Sequence, residues 1–290
     1  MAVNSIDVLR QARPEWVPWL AVVDESLREI GGAHWQAALP AAPPARDSAP
    51  LLDGATFALD GAPVGGLLER LLHRASRCGT PEMATLDNLR RGALDHAPLL
   101  RASIVQDSRA ISGVAEMHDI DPDALHAVLA LLCIPLLHYC RGHWAASLSP
   151  GWSAGHCPVC ASWPAFAEIR GIDRHRYLRC GRCGAGWHAE VLRCAFCRNA
   201  DHEQLTRLVP GQQGTRGVVE ACRRCRSYVK AFTTLQGTPA AAVMLEDLAS
   251  VELDIAAVEQ GFARPAGAAC EFDVSVALTP AGRQPFAWNS

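Results

Sequence analysis

RYLRCGRCGAGWHAEVLRCAFC, residues 176–197, carries two Cys-x-x-Cys pairs separated by ten residues. A pair of thiols spaced in this way asks for a metal, a disulfide partner or a redox role. Two intervening residues let a tight knuckle aim both sulfurs at one point, and two such knuckles close a tetrahedral four-sulfur site. The stretch therefore holds either one complete site or the facing halves of two.

The flanks weigh on that choice. Cys157/Cys160 lies upstream and Cys222/Cys225 downstream, so the pairs number four. Taken in chain order, Cys157, Cys160, Cys180 and Cys183 form one set, with 19 residues between knuckles; Cys194, Cys197, Cys222 and Cys225 form the other, with 24. Each interval has room for a small ribbon of two or three strands. An inner site of Cys180, Cys183, Cys194 and Cys197 stays open as an alternative, at the expense of a longer path between the outer pairs. The expected cofactors are two metal ions, and the spacing does not separate iron from zinc. Glycine, which takes positive φ without penalty, follows the second cysteine only at Gly184; Ala161, Arg198 and Arg226 stand there in the other knuckles. If those residues are left-handed, each costs on the order of 1 kcal/mol, which predicts knuckles less settled than ideal ones and a labile metal.

Around the cysteines, short alternating pieces read as antiparallel strands: FAEIR, HRYLRC, GWHAEVLRC, GVVEAC and SYVKAFTTL. Upstream the pattern is helical. Apolar residues recur from Trp16 through Leu20, Val23 and Leu27, again over 66–75 and 84–104, and most strongly over 119–148, where Asp121 and Pro122 read as N-cap and first turn and Pro135 as a bend. LPAAPPARDSAPLLDG, 39–54, reads as a connection without period. Residues 1–150 thus read as all-helical. Over 241–262 Leu245, Leu248, Ile255, Val258 and Phe262 are placed to share one helix face, and the tail after Pro265 is weakly patterned. The expected fold class is α+β: a helical domain at 1–150, four-cysteine modules at 151–190 and 191–237, and a C-terminal helix and tail at 238–290.

Composition narrows the function. The chain has 290 residues, 49% of them hydrophobic and 20% charged, as expected of a folded protein. Its longest strongly apolar run, AVLALLCIPLL, has eleven residues against the roughly 20 that span a bilayer, so stable membrane insertion is not expected. The N-terminal residues do not read as a secretory signal, and a cytoplasmic location follows as the expectation. The net charge of −3 exerts no global pull on nucleic acid. Residues 151–230 hold thirteen basic against six acidic side chains, but eight thiolates on two divalent metals offset much of that surplus. Arg179, Arg182, Arg193, Arg198, Arg223, Arg224 and Arg226 flank the ligands. With Trp187, His188 and Tyr228, the candidates Arg182, Arg223 and Arg224 describe a partner-binding surface; alternatively the arginines balance thiolate charge and the aromatics fill two small cores.

Other polar residues carry less. His138, Cys140 and His143 read as core and cap residues; Cys78 and Cys270 as isolated, inert thiols; His156 as a surface or cap residue that could instead brace the first knuckle; Glu246 and Asp247 as ordinary surface carboxylates. No nucleophile elbow, HExxH, Walker loop or dinucleotide fingerprint is present, and no catalytic residue is expected.

HCPVCASWP, RYLRCGRCGAGWH, VLRCAFC, EACRRCRSYVK and LEDLASVELD, taken in order, resemble the FdhE family of formate dehydrogenase accessory proteins, most specifically over 156–262. The resemblance implies rubredoxin-like modules binding iron or zinc through the eight cysteines, and a non-enzymatic cytoplasmic protein that assists maturation by binding the catalytic subunit of formate dehydrogenase. It implies no nucleic-acid partner, and self-association is compatible with it. Arg226 stands where the family pattern has glycine, and an arginine expected after Trp187-His188 is missing. The competing readings are a rubredoxin-type redox protein and a ribbon-type nucleic-acid-binding protein.

Overall fold

The computed structural model describes residues 5–36, 40, 43, 46–91, 95–209 and 217–279. Its helices are α1 (Ile6–Ala12), α2 (Val17–Arg28), α3 (Ala33–Gln36), α4 (Gly61–Ala75), α5 (Pro81–Ala84), α6 (His96–Val105), α7 (Ser108–Met117), α8 (Pro122–Leu132), α9 (Ile134–His143), α10 (Val243–Ala249) and α11 (Val251–Glu259). Its strands are β1 (Ala55–Asp60), β2 (Phe166–Arg170), β3 (His175–Arg179), β4 (Gly186–His188), β5 (Leu205–Leu208), β6 (Val218–Cys222), β7 (Tyr228–Thr234) and β8 (Val274–Thr279). The α+β class holds, with a mainly helical N-terminal region, two four-cysteine clusters and C-terminal helices.

The chain forms two compact units, and these cut across the motif boundaries at 150, 190 and 237. One comprises Met1–Val17, Ala42–Asp53 and Cys140–Phe272; the other Pro18–Ala41, Gly54–Tyr139 and Asp273–Ser290.

The unit around 54–139 is helical because its apolar residues recur at helical spacing and its helix starts are capped. Asp60, Asp95, Asp107 and Asp121 each accept a backbone N–H in the first turn of α4, α6, α7 and α8. Asp95 therefore serves a helix start and not a dyad with His96. Leu67, Leu71, Leu100, Leu125, Val128 and Leu132 are buried at its centre. The break between α8 and α9 falls at Cys133, two residues before Pro135. The stretch Pro122–His143 is long and apolar enough to cross a bilayer by length and composition, yet 72% of its 18-residue apolar window is buried, as in a core helix.

This region is not all-helical. β1 pairs in parallel with β8, from Ala55 against Val274 to Asp60 against Thr279. The six alternating residues of β1 are a weak signal alone, and their partner comes from the weakly patterned tail.

In the other unit β2, β3, β5, β6 and β7 join β4 in a single sheet of order β4-β3-β2-β7-β6-β5. Every neighbouring pair is antiparallel except β2 and β7, which run parallel from Phe166 against Lys230 to Arg170 against Thr234. The two ribbons thus lie side by side in the same orientation, fused through their inner strands. Phe166 and Phe232 meet edge to face at 5.2 Å, and a core including Tyr228, Val243, Leu253 and Phe262 is buried around them.

The C-terminal helix breaks at Ser250, whose hydroxyl donates to the carbonyls of Glu246 (2.8 Å) and Asp247 (3.1 Å). The break changes the phase of the buried face. Leu245, Leu253 and Ala257 point inward, whereas Ile255 and Val258, placed on the core face by periodicity, are 53% and 61% exposed.

Candidate metal centres

Four knuckles share one hydrogen-bond pattern. In each, the N–H of the first cysteine donates to the carbonyl five residues on, and the N–H four residues on returns to the carbonyl of that cysteine. The pairs are Cys157–Ser162 and Ala161–Cys157, Cys180–Ala185 and Gly184–Cys180, Cys194–Asn199 and Arg198–Cys194, and Cys222–Ser227 and Arg226–Cys222, at 2.8–3.2 Å. Closing so tight a turn requires a left-handed residue after the second cysteine. Ala161, Gly184, Arg198 and Arg226 take φ of 54°, 72°, 61° and 60°, so three of the four knuckles hold a side chain in the strained region.

The knuckles combine in chain order. Cys157, Cys160, Cys180 and Cys183 form one cluster and Cys194, Cys197, Cys222 and Cys225 the other, every Sγ lying within 4.8 Å of the rest of its set. The inner pairing is therefore not adopted. Observed separations are 3.5 Å for Cys157–Cys183, 3.6 Å for Cys160–Cys180, and 3.7 Å for both Cys194–Cys225 and Cys197–Cys222. A tetrahedron with metal–sulfur bonds of about 2.3 Å has edges of about 3.8 Å. Both clusters fit a tetrahedral ion such as zinc or a single iron.

Their surroundings differ. All four sulfur residues of the first cluster are fully buried, whereas Cys197 and Cys225 of the second are partly exposed. The first knuckle is braced from several sides. Leu51 and Leu52 donate backbone N–H groups to the carbonyls of Pro158 (2.8 Å) and Val159 (3.1 Å), so the end of the proline-rich connection docks on the metal site. The indoles of Trp152 and Trp187 donate to the carbonyls of His156 (3.0 Å) and Ala154 (3.1 Å), pinning the entry loop. Gly155 is buried in that loop, where any side chain would collide with the Ala195 carbonyl of the third knuckle. Within the first cluster burial pushes the Cys157 and Cys183 thiols well up, while hydrogen bonds from Cys157, Cys180 and Cys183 hold Cys160 well down. Metal binding there displaces protons and so strengthens as pH rises.

The arginines are mostly committed. Arg179 is buried against Glu168 at 3.0 Å, Arg193 and Arg198 meet Glu190 at 2.8 and 3.3 Å, and Arg226 lies over the Phe262 ring at 4.6 Å while donating to the Gln260 and Gly261 carbonyls. Among the six partner-surface candidates, His188, Arg223 and Arg224 are exposed and Arg182 is half-buried, donating to the Ser162 hydroxyl at 3.3 Å. Trp187 and Tyr228 are corrections: they are 5% and 3% exposed and serve the interior. A ribbon this small has few large side chains and uses those it has to fill its core.

Two features escaped sequence reasoning. The first is an ion network around Lys230, which is fully buried on β7. Its ammonium reaches Asp247 at 2.7 Å and Asp254 at 2.9 Å; Arg264 binds the same carboxylates at 2.7 and 2.6 Å, and the Tyr228 hydroxyl donates to Asp254 at 2.7 Å. Asp247 is therefore no ordinary surface residue, and its neighbour Glu246 is buried. Burial pushes the Asp247 carboxyl up, but Arg264 and Lys230 together hold it below the usual range. The signal available in the sequence was a lone lysine among arginines, followed by acids seven residues apart. The second is Cys270, which is not isolated: its sulfur lies 3.7 Å from Nε2 of His156.

Several known proteins are similar to this chain. The sequence profile "FdhE, C-terminal domain" matches residues 192–269. A protein FdhE homolog of Pseudomonas putida is 34% identical over 128 residues, 41% of this chain and 39% of that protein. The Aquifex aeolicus homolog is 33% identical over 114 residues, covering 38% and 40%. Protein FdhE of Escherichia coli is 25% identical over 195 residues, covering 63% and 57%. The chain thus spans well under two thirds of the length of these curated relatives. The crystal structure of the FdhE protein from Pseudomonas aeruginosa aligns over 90% of this chain and 87% of that one, with 24% identity and a TM-score of 0.46.

Proposed function

We propose that this chain is a member of the FdhE family and a non-catalytic accessory protein of the cytoplasm that assists maturation of formate dehydrogenase by binding the catalytic subunit of that enzyme. The observation that carries the reading is the pair of complete four-cysteine clusters embedded in one sheet. Cys157, Cys160, Cys180 and Cys183 would hold one ion and Cys194, Cys197, Cys222 and Cys225 the other, and a bound ion supplies folding free energy to knuckles that have little apolar core of their own. The chain's own residues then present a shaped surface: Arg182 held by Ser162, with His188, Arg223 and Arg224 outside the clusters. The role assigned to this surface is recognition.

The partial exposure of Cys197 and Cys225 favours a second reading, in which an iron at that cluster exchanges electrons as in rubredoxin. Reversible one-electron titration of the iron-loaded protein, with a potential that tracks Cys197→Ser, would favour it.

The test of the main reading is anaerobic co-purification with the catalytic subunit of formate dehydrogenase. Wild-type protein is expected to retain the subunit. Replacing Cys180 and Cys183 by serine is expected to remove one metal equivalent and the bound subunit together. Full capture by the metal-depleted variant would sink the link between cluster and recognition.

A further inference from the structure

A cavity of about 330 Å³ opens on the sheet beside the second cluster, with Val191, Leu192, Leu205 and Val229 among its apolar walls. Its volume lies at the lower end of ligand-sized pockets and suits one large side chain. The rim is prepared in advance. Arg176, buried at the sheet, donates to the carbonyls of Glu190 (3.0 Å) and Arg193 (3.3 Å), and so clamps the backbone on both sides of Val191 and Leu192. These two residues nevertheless remain 55% and 70% exposed.

The charge around this apolar mouth is one-sided. Arg174, Arg176, Arg193 and Arg207 line it against Glu220 alone. Glu220 is shared by Arg176 at 2.9 Å and Arg207 at 3.7 Å, and Arg193 is met by Glu190. Arg174 is exposed and makes no ion pair among the described residues. A second cavity of about 320 Å³, over Ile169, Val218 and Ala231, shares Arg174 and Arg207 with the first. Two hollows therefore flank one cationic pair. Arg207 meets Glu220 only at 3.7 Å on the exposed rim, and Arg174 is exposed beside it, so an incoming carboxylate can reach both.

We propose that this groove binds an extended acidic segment of the client protein, seating one apolar side chain between Val191, Leu192 and Leu205 while a neighbouring carboxylate meets Arg174 and Arg207. The walls are mostly aliphatic, and their one ring, Phe196, is packed on Trp163 at 5.2 Å; with a single side-chain-sized hollow they fit a peptide better than a nucleic-acid strand, which needs several exposed stacking rings along a continuous cationic track. The proposal rests on the accessory reading for the identity of the client, and on the groove alone for its chemistry.

The test uses the full, metal-loaded chain and a fluorescein-labelled peptide with one phenylalanine flanked by glutamates, followed by fluorescence anisotropy. Arg174→Glu and Leu192→Asp, both at exposed positions, are expected to weaken binding about tenfold or more, with metal content unchanged; Arg174→Lys is expected to bind as wild type does. A peptide with lysines replacing the glutamates is expected not to bind. Failure of the wild type to bind, equal binding by both disruptive variants, or binding of octanoate with none of the peptide would each overturn the proposal. The same proteins are then offered the formate dehydrogenase catalytic subunit. Capture by wild type that is lost with Arg174→Glu supports the groove, whereas equal capture overturns its role and leaves the accessory reading standing. If wild type binds the peptide but never the subunit, the accessory reading fails and the groove survives.

Discussion

Lys230 is the only lysine of the chain, and it is buried to zero exposure between two aspartates, beside an arginine and a tyrosine. At the residue scale this is where the fold is most sensitive. Removing one member of a buried ion network leaves the others desolvated and unbalanced, a loss of about 3 kcal/mol. Lys230→Met is therefore expected to lower the unfolding free energy by about that amount in urea denaturation, and an unchanged midpoint would show the network to be idle. Tyr228 gives the same network a pH signature. Burial and its hydrogen bond to Asp254 push the phenol up to about 12, above an ordinary value near 10. A raised pKa means that the folded state holds the proton longer than the unfolded chain does. The stabilisation is whole below about pH 10 and disappears as pH rises from there through about 12. The stability advantage of wild type over Tyr228→Phe is expected to narrow across that interval; a constant difference would place the ionisation elsewhere.

The knuckle is the element that repeats, and the residue after its second cysteine tests how much strain a metal site tolerates. Ala161 is buried at φ 54°, with no polar group of its own to lose. Ala161→Gly should relieve about 1 kcal/mol of left-handed strain. Gly184 is the reverse case, since its φ is 72° and a side chain there would also meet the backbone of Ala240. Gly184→Ala is expected to lose more than Ala161→Gly gains. Denaturation of both metal-loaded variants decides this, and equal effects of the same sign would remove the strain account. Arg226 is a different compromise. Its left-handed strain is offset by contact with Phe262 and by hydrogen bonds to the Gln260 and Gly261 carbonyls, which tie the fourth knuckle to the end of α11.

At the scale of the whole molecule the two clusters are unequal although their cysteine spacing is nearly alike. The first is enclosed by the docked Leu51–Leu52 segment and the entry loop held by Trp152 and Trp187; the second has Cys197 and Cys225 open to solvent. A chelator or an oxidant reaches an ion only where its ligands can be approached. Metal is expected to leave in two phases, the faster phase disappearing in Cys197→Ser. Release in a single phase, or a fast phase that persists in that variant, would contradict the inequality. The lability that non-glycine knuckles suggested for both sites is thus assigned to the second by enclosure, not by turn strain.

Much was legible in local order. Cysteine spacing, strand alternation and Asp-Pro at a helix start are interactions between residues close along the chain, and they specified the ligand set, five of the six sheet strands and the best helix. β5, only four residues long, lacked enough pattern to be read. The parallel joining of β2 to β7, the pairing of β1 with β8, the docking of Leu51 on the first knuckle and the convergence of Lys230, Asp247, Asp254 and Arg264 all unite residues that no local period connects. The sequence by itself determined which eight sulfurs gather into clusters and what each knuckle must look like, because those constraints act within a few residues. Only the tertiary structure decided that the ribbons fuse into one sheet, which aromatics are consumed as core, and which cluster meets solvent, because those outcomes depend on surfaces that exist only after the chain has packed.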